Sequence, residues 1–383
     1  MPAIRSTREW SLLLAACASA PDAGKESRLS ELLRGPIDWK SLLDLADKHG
    51  VLPLLHDALS VSPDALPAEL KASLSQAYQN NMVKAMLVSR ELIRIVDHLA
   101  SRGVVAMPHK GPALAEILYG DLATRKAGDI DLLVRPRDVA RARNAVIELG
   151  YTPHLNLSPA EERALLKSGY EFSFDGSAGP NLLELQWAVL PRFYAIDFGA
   201  DDLFERAMEV SVAGQPMKSP SFEDLFLMLS AHAAKHLWER LLWLCDLARL
   251  ISRPGLNWKW IVSRAQGLGM VHIAGVTMIL ANRLLDVQIP AEGQSLTENP
   301  ATGALAGEIL EHYPDANFSV ESLVYFRLMA SLRERPTDRV RFGWRLAVTP
   351  GLSEWRTLKL PAQLFPLYRV IRLTRLVGRL ARA

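Results

Sequence analysis

Two aspartates one residue apart inside an apolar run, Asp129-Ile130-Asp131 in GDIDLLV, constrain this chain more than any other feature. In a β-strand alternate side chains share a face, so both carboxylates project together while Ile130 turns into a core. Side by side they repel unless a cation neutralises them. Magnesium meets that need, because it prefers hard oxygen ligands and commonly joins one or two carboxylates to substrate phosphates. The pattern points to metal-assisted chemistry on a nucleotide.

The residues before the pair fit the same chemistry. Val104 to Met107 reads as a buried strand, Lys110-Gly111 as a turn, and Gly111 to Tyr119 as a short helix. A turn entering a helix presents free N–H groups to phosphate, and glycine lets the phosphate approach closely. Pro112 suits the first helical turn. Lys110 adds a cation. Arg125 carries a guanidinium fork that suits either a triphosphate or an aspartate partner.

With 383 residues the chain has room for two or three domains. A hydrophobic content of 49% against 22% charged residues fits a folded globular protein, and a net charge of +2 demands no nucleic-acid partner. Two cysteines, Cys17 and Cys245, are too few for a disulfide framework, so a cytoplasmic setting is expected. Leu14-Ala15-Ala16-Cys17 has the form of a lipoprotein processing site, and Ala18-Ser19-Ala20 that of a cleavage site. The apolar run is short and adjoins Glu9, so a first helix packed by Trp10, Leu13 and Leu14 is the simpler reading. No apolar run is long enough to span a bilayer.

The spacing predicts helices over 1–66, broken at Gly50 and Pro53, then a long helix over 67–101 with Ala85, Val88, Leu92, Ile95 and Leu99 on one face. Strands are expected at 128–134, 170–174 and 182–189, and a helix at 136–149. Beyond 191 strands nearly vanish; Ser221 with Asp224 caps a long helical region. The expected divisions are an N-terminal helical region (1–102), an α/β core (103–190), a helical domain closing the cleft (191–300) and a C-terminal helical region with a basic tail (301–383).

Lys-Gly, an aliphatic segment ending in Tyr119, Arg125 and DIDLLV together resemble the uncharacterised nucleotidyltransferase family of the DNA polymerase β-like superfamily. They are also similar to the abortive-infection and toxin nucleotidyltransferases. The N-terminal helices, LLELQW and HAAKHLWERLLWLCDLARL extend the resemblance over roughly 30–250. It implies an α+β fold: a minimal nucleotidyltransferase core, a small mixed sheet with helices, flanked by helical domains. It implies Mg²⁺-dependent transfer (Mn²⁺ being an alternative) of a nucleoside monophosphate from a triphosphate such as ATP to an unidentified acceptor. Asp129, Asp131 and Glu184 would be catalytic and hold the metal, with Glu171 and Asp175 as fallbacks for the third carboxylate. Lys110, Gly111, Arg125, Lys235 and His236 would bind the nucleotide, with Asp246 orienting one of the last two. Relatives tend to carry His two residues after the acid; here Gln186 stands in that place.

Plainer readings stand beside each of these. An isolated Asp-x-Asp is more often a surface feature. Lys110 could be a solvated helix-entry lysine, Arg125 a structural salt bridge, Glu184 a buried structural acid. His232 reads as a satisfied core histidine and Trp238, Trp243, Trp258 and Trp260 as packing. The arginines at 369, 372, 375, 379 and 382 could meet an anionic membrane or RNA, or form a solvated face. Two other functions remain open: a catalytically silent nucleotide-binding or scaffold protein, and an RNA-modifying toxin, for which a near-neutral chain is poorly suited. The acceptor could be a protein, peptide, RNA or small molecule.

Overall fold

The computed structural model describes residues 7–18, 23–61, 66–176, 179–315, 322–350 and 360–380. Ser19, Ala20 and Arg382 lie outside them. Four short helices come first: α1 (Arg8–Cys17), α2 (Ala23–Leu33), α3 (Trp39–Lys48) and α4 (Leu52–Ser60). Trp10, Leu13 and Cys17 of α1 are buried, so its apolar run belongs to a core. Asp38 caps α3, accepting a bond from the Ser41 amide at 3.0 Å. The long helix α5 (Ala68–Ser101) follows, with Val88, Leu92, Ile95 and Leu99 buried on the face the spacing predicts.

A five-stranded sheet then forms from β1 (Ala106–Pro108), β2 (Ile130–Val134), β3 (Thr152–Pro153), β4 (Glu171–Gly176) and β5 (Gly179–Gln186), in the order β1-β2-β5-β4-β3. The sheet is mixed: β2 and β5 are parallel and every other pair is antiparallel. A parallel pair needs a long crossover. Here α7 (Val139–Glu148) and α8 (Pro159–Ser168) help to supply it, while α6 (Gly111–Tyr119) links β1 to β2. Helix α8 was not foreseen, although Ser158 and Glu161 form a reciprocal capping box at its start.

A helix α9 (Ala200–Glu205) and a separate hairpin, β6 (Met208–Val212) with β7 (Gln215–Ser219), come next. The hairpin turns at Ala213-Gly214, both with positive φ. The remaining helices are α10 (Phe222–Lys235), α11 (Leu241–Ile251), α12 (Trp258–Leu268), α13 (Val271–Leu285), α14 (Pro300–Leu310), α15 (Leu323–Ser331), α16 (Pro336–Val348) and α17 (Leu367–Leu380). Among the described residues no helix is long and apolar enough to cross a membrane.

Apolar side chains gather into two cores. One lies under the sheet, where α5 and α7 cover Ile130, Leu132, Leu183 and Leu185. The other joins α1–α4 to the helices after residue 190, so the N-terminal and C-terminal helical regions share an interior. Trp10 stacks on Tyr313 across that interior, with ring centroids 5.8 Å apart. The cleft between the two cores opens on the ends of β2 and β5.

Candidate active site

All eight residues named from the sequence as site residues line one cavity of about 510 Å³: Lys110, Gly111, Arg125, Asp129, Asp131, Glu184, Lys235 and His236. The sheet register explains the centre. Asp131 on β2 stands opposite Glu184 on parallel β5. Asp129 lies just ahead of β2. Glu171 on β4 pairs in register with Gln186 on β5 and lines the same cavity. Asp175, the other fallback carboxylate, is instead paired with His154, its Oδ1 2.9 Å from Nε2.

Gln186 ties the acids together. Its amide Nε2 lies 2.8 Å from Glu184 Oε2, 3.2 Å from Asp131 Oδ1 and 3.4 Å from Glu171 Oε2. A neutral donor thus sits at the centre of the acids. Lys110 Nζ donates to Asp131 Oδ1 at 2.8 Å, both side chains being well buried. The expected phosphate lysine is therefore the resident counter-charge of Asp131.

The electrostatics follow from this crowding. Burial alone raises the Asp131 carboxyl, but the Lys110 ammonium and His109 outweigh it and hold it down at about 2. Glu184 moves the other way: burial, then the charges of Asp131 and Glu171, push it up to about 8. Burial and Asp131 also raise Asp129. Burial pulls the Lys110 ammonium down, but Asp131 and Glu184 leave it net above its ordinary value. Lys110 offsets the repulsion of these crowded carboxylates only in part, as the raised Glu184 and Asp129 show.

The donors are hard oxygens, the type magnesium prefers. Among the described residues no three His, Cys, Asp or Glu side chains form a ready-made cage. The set fits a metal that brings triphosphate oxygens as its remaining ligands, the usual way magnesium is held at nucleotide sites.

Gly111 is required by the local backbone. Its φ is +55°, and a Cβ there would sit 3.0 Å from the Asp129 carbonyl oxygen. The Lys110 cap residue makes no side-chain cap bond, so the first N–H groups of α6 are left for other partners. Gly111→Ala is expected to cost about 1–2 kcal/mol through strain at positive φ. Thermal denaturation should show that loss, together with weaker nucleotide binding as Asp129 is displaced.

Arg125 is locked rather than free. Its Nε and Nη2 grip Asp246 of α11 at 2.9–3.2 Å, and Tyr119 donates its hydroxyl to the same carboxylate at 2.8 Å. Asp246 therefore orients Arg125 and Tyr119, not Lys235 or His236. Sequence reasoning missed Asn81 of α5. Its amide nitrogen donates to the Ala123 and Arg125 carbonyls at 2.7 and 3.0 Å, and its oxygen accepts from the Ala127 amide at 2.8 Å. This one side chain holds the loop that leads into the aspartates.

The far wall comes from α10 and α11. Lys235 donates to the Tyr170 hydroxyl at 2.8 Å. His232, His236 and Trp243 form a ring cluster with centroids 5.0–5.2 Å apart. Burial first, then nearby cations, lower both histidines, His236 to about 3, so the rings are neutral near pH 7. His232 and Trp243, expected as packing, line the cavity; Trp238 and Trp258 are buried as expected. His109 was also missed. It is buried against the cluster, its Nδ1 has no hydrogen-bond partner, and burial followed by Lys110 lowers it to about 4.

A family model described as an uncharacterised nucleotidyltransferase matches residues 35–286. The chain belongs to this family. The match spans the sheet, the acidic cluster and the α10–α11 wall, and membership supports a general nucleotidyl-transfer activity with a nucleoside triphosphate substrate. No curated protein and no solved structure gives a significant match. Residue roles in this family member are therefore argued from the geometry above.

Proposed function

We propose that this protein transfers a nucleoside monophosphate from a magnesium-bound triphosphate to an acceptor. The observation that carries the reading is the Asp131–Glu184 pair, in register across parallel strands beneath Lys110 and opposite the Lys235 wall. Asp129, Asp131 and Glu184 would hold Mg²⁺, which neutralises the triphosphate and lowers the proton affinity of an attacking oxygen. The chain's own groups do the rest. Lys110 balances Asp131 until substrate arrives and then offers its charge to the phosphates. The amides at the start of α6 would donate to a phosphate oxygen. Lys235, buried beside Tyr170, supplies a second cation.

Glu184 or Asp131 would also help to deprotonate the incoming group. The domain divisions at 102, 190 and 300 belong to this proposal: the α/β unit carries the acids, and the helices after 190 close the cleft.

Two ion pairs favour a second reading, a protein that binds nucleotide without turnover: Lys110 already neutralises Asp131, and Arg125 is committed to Asp246. Incubation of the four nucleoside triphosphates, labelled at the α-phosphate, with a lysate separates the two. Transfer expects label on an acceptor with pyrophosphate released, both lost in Asp131→Asn. Nucleotide binding with no pyrophosphate release would sink the transfer reading.

A further inference from the structure

The residues after 338 are charged unlike the rest. Between 339 and 383 there are ten arginines and lysines against one acid, Glu354, whereas the whole chain has 44 basic and 42 acidic residues. The first 338 residues are therefore net acidic, and the positive charge is gathered at one end. Such asymmetry marks a contact with an anionic surface.

Helix α17 is also turned inside out. Its buried face carries Tyr368 and Arg372, whose Nε donates to the Leu346 carbonyl of α16 at 3.1 Å. The face turned to water carries Leu367, Val370 and Leu373, 43–53% exposed. Arg369 is exposed between them. On neighbouring α16, Val340 and Trp344, one turn apart, are 73% and 68% exposed. Water penalises aliphatic side chains set out this way, whereas a bilayer interface rewards them, with tryptophan at the headgroup level.

We propose that α16 and α17 form a docking face for an anionic lipid bilayer, with α17 lying in the plane of the interface. At 14 residues α17 is too short to span a membrane, and it lacks the apolar girth to do so. The charge distribution argues against a second copy of the chain as the occupant, because a two-fold contact would bring two basic surfaces together. The aliphatic side chains argue against RNA, whose phosphates gain nothing from leucine and valine. An anionic bilayer satisfies both features, its headgroups meeting exposed Arg369 within a basic segment and its acyl region the apolar row. The face lies outside residues 35–286, so the inference is independent of the nucleotidyl-transfer reading.

The test is co-sedimentation of the full chain with phosphatidylcholine vesicles, with and without about one-third phosphatidylglycerol. The protein should pellet with the anionic vesicles only, and added salt should release it. Val370→Ser/Leu373→Ser and, separately, Arg369→Gln should each lower the partition coefficient, the first by about tenfold or more. These side chains are exposed, so circular dichroism should show the fold unchanged. Absence of wild-type binding to anionic vesicles would overturn the proposal, as would undiminished binding by the double variant. So would a wild-type dimer that Leu373→Ser dissociates in sedimentation velocity, or an RNA complex that survives Val370→Ser/Leu373→Ser.

Discussion

An Asp246→Ala chain is expected to be less stable than wild type by about 3–5 kcal/mol, because it strands a buried guanidinium. The Arg125 and Asp246 side chains are 8% and 2% exposed, and the fork makes three contacts with the carboxylate. Tyr119 would lose its acceptor as well. Removing both charges should cost far less, since desolvation of the pair consumes most of its attraction. Arg125→Met/Asp246→Leu should therefore recover much of the loss in thermal denaturation. The same pair of variants decides what Arg125 is for. If the double variant still binds nucleotide like wild type, the guanidinium is a tie between the sheet unit and α11. A double variant that is stable but blind to nucleotide would make Arg125 a phosphate ligand instead.

The second large effect is at Glu184, where function and stability oppose each other. If Glu184 holds the metal as proposed, Glu184→Gln should reduce transfer by about a hundredfold or more, since it removes the carboxylate charge. It should also flatten the pH dependence of stability. In the folded chain Glu184 keeps its proton up to about 8, while the unfolded carboxyl releases it near 4.5. A raised carboxyl favours the folded state fully below the lower value, and that contribution is lost as pH rises through the higher one. Relative to Glu184→Gln, the wild type should lose on the order of 1–3 kcal/mol between about pH 5 and 9, after allowance for relaxation of the cluster; the buried neutral histidines shape both profiles alike. Denaturation midpoints measured across that range should show wild type losing ground to Glu184→Gln as pH rises. Parallel profiles would mean that the acids are not crowded as described. Such a trade is common where an active site stores unfavourable charge.

Local signals marked the acidic centre in advance. Asp129-Ile130-Asp131 announces itself because strand alternation and an apolar frame act within five residues. The α6 helix was readable from its Gly-Pro start and Gly120 stop. Partners set by tertiary proximity were not readable. Arg125 and Asp246 are 121 positions apart, so the sequence showed a cation without its acceptor. Asn81 looks like an ordinary polar residue of a long helix until the loop that it holds is folded beside it. His109 and Gln186 gain their meaning only when β2 and β5 pair. The β6–β7 hairpin escaped because two five-residue strands around Ala213-Gly214 give too little alternation to separate them from a loop.

The most direct test of the central claim is calorimetric titration of ATP, CTP, GTP and UTP, each with and without Mg²⁺, into wild type and Asp129→Asn/Asp131→Asn. Magnesium-dependent binding of at least one nucleotide to wild type, and none to the double variant, is expected. Binding that ignores magnesium, or that survives in the double variant, would contradict the assignment of the Asp129–Asp131–Glu184 cluster as the metal–nucleotide site.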